Sequence, residues 1–142
     1  MVTAMTSFKR ILVGVDGSEN ALRAAGFAAA LAKGFGSEIT LVHVIAPSDH
    51  DLLVGKATYA DKDFKVGGER LKGAERLLEQ EGVPFRSTVE FGHPAEQLLR
   101  LAEGHDLIVV GTRGLSPFKG ILIGSTSTRL AQGSKVPVTI VP

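Results

Sequence analysis

The sequence predicts an α/β fold: a doubly wound, five-stranded parallel sheet with helices on both faces. Short apolar runs alternate strictly with longer segments of helical periodicity. The runs are too apolar to be strands with one exposed face, which favours a parallel sheet buried on both sides. The chain has 142 residues, 44% of them hydrophobic and 22% charged, which are the size and composition of one ordinary globular domain. We therefore expect residues 1–142 to form a single domain.

The chain is predicted to begin with a β-α-β unit. Residues 10–16 form a nearly continuous apolar run that stops at an Asp-Gly-Ser turn, as a buried strand does. Ser18 or Asp16 can cap the Ala-rich helical segment that follows, and two glycines close that segment. Residues 39–45 then form a second β-rich run, which a proline ends.

The middle of the chain is predicted to hold a loop, a helix and a third strand. Residues 48–61 show no clear period, which is typical of a long loop. Apolar side chains recur at helical spacing over residues 64–78, and a Gly-x-Pro sequence follows and ends this second helix. Residues 85–91 are predicted to form the third strand.

The last third of the chain repeats the alternation twice. Residues 94–102 predict a third helix with proline in its first turn. Residues 106–110 form a fourth apolar strand, and a Gly-rich loop over residues 111–123 follows it. A short helix over residues 124–132 and a last strand over residues 136–141 complete five strands and four helices.

The composition excludes several classes of function. No cysteine is present, so disulfides, thiolate catalysis and cysteine-ligated metal sites are excluded. The formal charge is +1 and Trp is absent, so no global field or stacking platform favours nucleic acid, and nothing favours an anionic membrane. The four histidines have no metal-ligand spacing, so we assign no protein-ligated metal. Without a signal peptide or a membrane span, we expect a soluble cytoplasmic protein.

A glycine and hydroxyl pattern after the fourth strand predicts a phosphate site. Neither the Walker sequence nor the dinucleotide Gly-x-Gly-x-x-Gly sequence occurs. Glycines let backbone N–H groups approach an anion closely, and a helix N-terminus adds free N–H groups and the positive end of the helix dipole. The pattern consists of Gly111-Thr112-Arg113-Gly114, nine further residues, and Gly124-Ser125-Thr126-Ser127.

These features together resemble the universal stress protein family, in the branch that binds ATP. The resemblance spans nearly the whole chain, and the combination of its motifs is specific although each alone is weak. The motifs are Lys-Arg-Ile-Leu-Val-Gly-Val-Asp-Gly-Ser at residues 9–18, Leu-Val-His-Val at 41–44, Gly-His-Pro-Ala-Glu at 92–96, the Gly-x2-Gly-x9-Gly-Ser pattern at 111–125, and Val-Pro-Val-Thr-Ile-Val at 136–141.

The resemblance implies a sheet order of 3-2-1-4-5, homodimers, and a nucleotide at the carboxyl ends of strands one and four. It also implies a role for each matching residue. By this resemblance the adenosine is bordered by Gly14, Val15 and Asp16, and the adenine edge meets the backbone of Val44. The ribose and first phosphates are bordered by Gly111, Arg113 and Gly114. The outer phosphates are held by Gly124, Ser125, Thr126 and Ser127.

Two further expectations concern metal and assembly. Mg²⁺ or Mn²⁺ is expected to bind through the phosphates of the nucleotide. Hydrolysis is expected to be slow or absent, because the site offers mainly backbone N–H groups and hydroxyls. The last strand, residues 136–141, is apolar and would lie at the edge of the expected sheet. Bare edges invite association, so we expect a homodimer joined through this strand.

Plainer interpretations stay open at this stage. Asp16 can be only a turn or capping residue, and the Gly-rich loop only a flexible connection. Arg113 and Lys119 can be solvated charges. The main hypothesis is a regulatory, ATP-binding stress protein. The alternatives are a small hydrolase or phosphotransferase that uses Asp16, and a dimeric scaffold without nucleotide.

Overall fold

The computed structural model describes residues 8–46, 61–112 and 124–142, and the side chains of residues 61–64 are not described. These ranges form one sheet with helices on both of its faces. The elements are β1 (Arg10–Gly14), α1 (Glu19–Phe35), β2 (Glu38–Ile45), α2 (Asp61–Glu81), β3 (Phe85–Phe91), α3 (Pro94–Leu101), β4 (Leu107–Gly111), α4 (Ser125–Gly133) and β5 (Val138–Val141).

The five strands are parallel and lie in the order β3-β2-β1-β4-β5, which confirms the predicted fold class. The central strand β1 pairs on one side with β2, where Leu12 lies opposite Thr40. On its other side β1 pairs with β4, where Leu12 lies opposite Ile108. The chain order reverses between β1 and β4, and such a switch point leaves a crevice at the carboxyl ends of the strands.

Each face of the sheet has its own apolar core. On one face α1 and α2 cover alternate residues of the strands, including Ile11 and Val109. On the other face α3 and α4 cover the intervening residues, including Leu12 and Ile108. Six buried alanines let α1 pack closely on the sheet, because small side chains reduce the distance between layers. These residues are Ala21, Ala24, Ala25, Ala28, Ala29 and Ala32.

The ends of α1 follow the capping chemistry that the sequence predicts. The Ser18 hydroxyl accepts the N–H of Ala21 at 3.1 Å and caps the first turn. Gly36 adopts a φ of 68° and donates its N–H to the carbonyl of Ala32, an arrangement that favours glycine. Of the two candidate capping residues, Ser18 is the cap, and Asp16 accepts the Ser18 N–H at 2.9 Å.

Some boundaries differ from those predicted. β5 begins at Val138 rather than at residue 136, because the Ser134 hydroxyl and the backbone of Val136 form a tight turn just before it. β4 starts and ends one residue later than predicted. Of the predicted loop over residues 48–61, only Asp61 lies within the described residues, and it begins α2. None of the helices within the described ranges is long and apolar enough to cross a membrane.

Candidate functional site

An open cleft lies at the carboxyl ends of β1, β2 and β4, where the strand order reverses. Its volume is about 140 Å³ and its lining is mostly apolar. Clefts with apolar walls and a few polar groups are the usual form of small-molecule sites. Its lining residues are Gly14, Val15, Asp16, Ala21, Val42, His43, Val44, Pro94, Leu98, Val110, Gly111 and Thr126.

Gly14 forms part of the apolar wall of this cleft. A Cβ atom at this position would lie 3.1 Å from Cδ1 of Leu98 and 3.2 Å from Cγ1 of Val110. Leu98 is brought here by α3 and Val110 by β4, so three elements meet at Gly14. A larger residue would press on both neighbours, and glycine keeps the space between them open.

The turn between β1 and α1 carries Asp16 and is fixed by hydrogen bonds from several elements. The N–H of Val15 donates to the carbonyl of Val42 at 2.8 Å, which extends the β1–β2 ladder. His43 is buried, and its Nδ1 lies 2.8 Å from the Val15 carbonyl oxygen; because that oxygen can only accept, Nδ1 carries the hydrogen. The Asp16 carbonyl accepts from Nη1 of Arg70 at 3.0 Å.

Gly111, at the end of β4, is held close to Asn20 of α1. A Cβ on Gly111 would clash with the amide oxygen of Asn20 and lie 2.6 Å from its Cγ. The Asn20 amide donates to the carbonyl of Val141 at 3.1 Å, and the Thr112 hydroxyl lies 3.5 Å from its oxygen. Glycine at residue 111 therefore leaves room for the Asn20 side chain, in addition to any approach to an anion.

The N-terminus of α4 lies directly beside the end of β4. The N–H of Gly124 donates to the carbonyl of Thr112, so the Gly124 N–H is already used. The Ser127 hydroxyl lies 3.2 Å from the same carbonyl and 3.1 Å from that of Gly124, and Ser127 is buried. The backbone N–H groups of Ser125, Thr126 and Ser127 have no acceptor within the helix, because they belong to its first turn. Together they form a place where an anion can bind.

The structure brings together most of the residues that the sequence singles out. Those that line the cleft are Gly14, Val15, Asp16, Val44, Gly111 and Thr126. Gly124, Ser125 and Ser127 lie at the adjoining start of α4. The predicted contacts Arg113 and Gly114, and also Lys119, lie outside the described residues.

Several cleft residues were not singled out from the sequence. Val42 and Val110 belong to the apolar core that α3 and α4 cover, and strand alternation could have placed Val42 on the same face as Val44. Leu98 could have been found from the apolar face of α3. Asn20 and Arg70 lie outside the cleft lining and support Gly111 and Asp16; they carried no such signal, since their contacts depend on the packed fold. In the part of the chain that the structure covers, no group of three or more His, Asp or Glu side chains could hold a metal ion.

Comparisons with known proteins agree on one family. The sequence model of the family described as "Universal stress protein family" matches residues 7–142. A universal stress protein of Thermus aquaticus is 35% identical over 141 residues, which cover 94% of this chain and 98% of that protein. Among solved structures, a hypothetical protein used as a test case of structural genomics is 27% identical, with a TM-score of 0.82 and 96% of each chain covered. A universal stress protein in complex with cAMP is 29% identical, with a TM-score of 0.75 over 96% of this chain and 99% of that one.

Proposed function

This chain belongs to the universal stress protein family, and from that premise we propose that it binds ATP or another adenine nucleotide in the cleft at the ends of β1, β2 and β4. Residues 1–142 then act as one nucleotide-binding domain. Its role is regulatory: the bound nucleotide changes the surface that the protein presents to partners in a stress response.

The observation that carries this proposal is the continuity of an apolar cleft with a helix N-terminus. The cleft offers Val15, Leu98 and Val110 to the faces of a flat base. Asp16 and Val44 lie on its lining, and the Asp16 carboxylate and the Val44 backbone are polar groups suited to the ribose or to the base edge. The relative solved in complex with cAMP supports an adenine ligand for this chain.

The phosphates are proposed to lie toward α4. Thr126 belongs both to the cleft lining and to the first turn of α4, so the two regions are contiguous. The free N–H groups at Ser125 to Ser127 would donate to phosphate oxygens, and the helix dipole favours their negative charge. Ser125 is exposed and its hydroxyl can add a further donor. The Ser127 hydroxyl is directed to carbonyl groups, so Ser127 would contribute its backbone N–H. Arg113 and Gly114 remain predicted contacts.

Mg²⁺ or Mn²⁺ is proposed to accompany the nucleotide through its phosphates. Mg²⁺ commonly keeps several waters and binds phosphate oxygens together with few protein ligands. The chemistry at α4 fits this arrangement, because N–H groups and hydroxyls there bind phosphate oxygens and leave other oxygens for the ion. When bound, the ion would neutralise part of the negative charge of the phosphates.

A homodimer through β5 is the proposed assembly. β5 is an edge strand of the sheet, and its residues Val138 to Val141 are all only half-buried. The Pro137 carbonyl accepts from Ile108 of β4, and the Val141 carbonyl accepts from Thr112 just after β4. By strand alternation the backbone groups of Val138 and Ile140 therefore face away from the sheet. A second copy could pair with these groups and cover the edge.

The direct test is to identify the nucleotide and measure its affinity. Purified protein is denatured with acid, and released nucleotides are separated and identified. Nucleotide-free protein is then titrated calorimetrically with ATP, ADP, AMP and GTP in Mg²⁺. We expect an adenine nucleotide to bind at one site per chain and GTP to bind more weakly. No released nucleotide together with no heat from any adenine nucleotide would support a scaffold without nucleotide.

A further inference from the structure

Two consecutive carbonyl groups in the turn after β1 accept hydrogen bonds from side chains of two other elements. The Val15 carbonyl accepts from His43 of β2, and the Asp16 carbonyl accepts from Arg70 of α2. Neither bond belongs to a sheet or helix ladder. The turn's backbone is therefore held from outside by two side chains, in addition to its own local hydrogen bonds.

Arg70 makes a second contact with the same turn. Gly17 has a φ of 88°, and a Cβ placed on it would lie 3.3 Å from Cγ and 3.4 Å from Cβ of Arg70. The aliphatic part of Arg70 thus covers Gly17 while its guanidinium reaches the preceding carbonyl. A charge-assisted hydrogen bond and a packed stem on adjacent residues leave this turn little freedom.

Asp16 lies between two cavities. It lines the cleft proposed for the nucleotide, and it also lines a groove between the β1–α1 turn and α2 that includes Glu69, Arg70 and Gly73. Its carboxylate accepts the N–H of Ser18 at 2.9 Å, which links the carboxylate to the backbone of the turn. A shift of that backbone would move the carboxylate with respect to the cleft.

We propose that Arg70 is a positioning residue for nucleotide binding: from α2 it fixes the Asp16 backbone, and so holds the Asp16 carboxylate toward the adenosine part of the ligand. This inference rests on the proposed function. Arg70 lies outside the cleft lining, so through Arg70 the helix α2 would influence the affinity for the nucleotide. Arg70 itself touches no part of the nucleotide in this arrangement.

The test is a double-mutant cycle on the full chain. Arg70→Met keeps most of the aliphatic stem and removes the guanidinium, and we expect it to weaken binding of both adenosine and ATP about tenfold. Arg70→Lys keeps the charge and should restore part of the loss. In an Asp16→Ala background, Arg70→Met should cause no further loss, because no carboxylate remains to be positioned. Arg76→Met is the matched control, since Arg76 lies exposed on the same helix and carries the same charge.

A measurement without ligand complements the cycle. The Ser18 amide donates to Asp16, so in nucleotide-free protein its hydrogen exchange should become faster in Arg70→Met and stay unchanged in Arg76→Met. If the wild type binds nucleotide and Arg70→Met binds it with the same affinity, the role of Arg70 is overturned and the proposed function stands. Fully additive losses of affinity in the cycle would have the same consequence. Absence of any adenosine or ATP binding by the wild type would overturn the proposed function and this inference with it.

Discussion

The side-chain amide of Asn20 occupies the space that a Cβ atom on Gly111 would need. The same amide donates to the Val141 carbonyl, so Asn20 joins α1 to the ends of β4 and β5. The close approach explains why residue 111 is a glycine even before any ligand is considered. It also gives the first prediction.

Gly111→Ala should destabilise the protein by about 1–3 kcal/mol, because the methyl group displaces Asn20 and breaks its bond to Val141. The free energy of unfolding in urea measures the change. Gly104→Ala is the matched control, since a Cβ there would have nothing within 4 Å. Equal stability of the two variants would show that Asn20 moves aside without cost.

Gly124→Val should abolish ATP binding and leave the domain folded. Gly124 has φ −73° and ψ 168°, an extended conformation open to any residue, so valine introduces no backbone strain. Its branched side chain would instead obstruct the path of a phosphate to the first turn of α4. Calorimetry measures affinity and circular dichroism checks the fold. Unchanged affinity for ATP in a well-folded variant would show that α4 does not bind the phosphates.

Ser125→Ala should have a smaller effect. Ser125 is exposed at the first turn of α4, and we expect its loss to cost about 1–3 kcal/mol of ATP binding if the hydroxyl donates to a charged phosphate oxygen. Thr128→Ala is a useful comparison, because the Thr128 hydroxyl donates to the Gly124 carbonyl at 2.9 Å. Isothermal titrations of both variants with ATP and with adenosine distinguish two causes. Loss of a phosphate contact lowers the affinity for ATP alone, whereas a general loosening of the helix lowers the affinity for both ligands.

The assembly is tested at Ile140. Sedimentation of the wild type at micromolar concentration should give a dimer, and Ile140→Lys should give the 15.0 kDa monomer. Because Ile140 also packs partly against the core formed with α3 and α4, Ile140→Pro is a needed second variant. Proline there removes an outward N–H and spares the ladder to β4. A wild type that sediments only as a monomer contradicts the proposed assembly.

Hydrolysis of ATP should be slow or absent. Rapid phosphoryl transfer needs the metal, an oriented nucleophile and charge neutralisation together, whereas the described site offers mainly backbone N–H groups and hydroxyls. Asp16 is the candidate base, and its carboxylate is engaged with the Ser18 N–H on the side of the proposed adenosine site. Phosphate release is followed at saturating ATP and Mg²⁺. Turnover near ~1 s⁻¹ that is lost in Asp16→Ala would favour the hydrolase instead.

The sequence predicted those features that depend on local pattern. The apolar runs gave all five strands to within two residues, and Ser18 was among the predicted helix caps, because caps and strand periodicity depend on neighbouring residues. The sheet order came from family resemblance and is confirmed.

Contacts between distant segments could not be predicted in this way. The Asn20 approach to Gly111 and the Arg70 bond to the Asp16 carbonyl join residues that are far apart in the chain. Polar side chains on amphipathic helices usually face water, so nothing local distinguishes Arg70 from the exposed Arg76 on the same helix. Only the packed arrangement of α1, α2 and the strand ends selects one of them.

The pairing of β1 with β4 also determines the order in which this protein can be completed during synthesis. Ile11 lies opposite Leu107, so the central strand gains its second neighbour only after most of the chain has left the ribosome. Until then β1 is an apolar edge that can pair with a foreign strand, and contacts of such long sequence separation form slowly. Because β1 and β4 both contribute walls to the cleft, the cleft is complete only after these two strands have paired. A small molecule that contacts both walls would stabilise the sheet at the seam between β1 and β4.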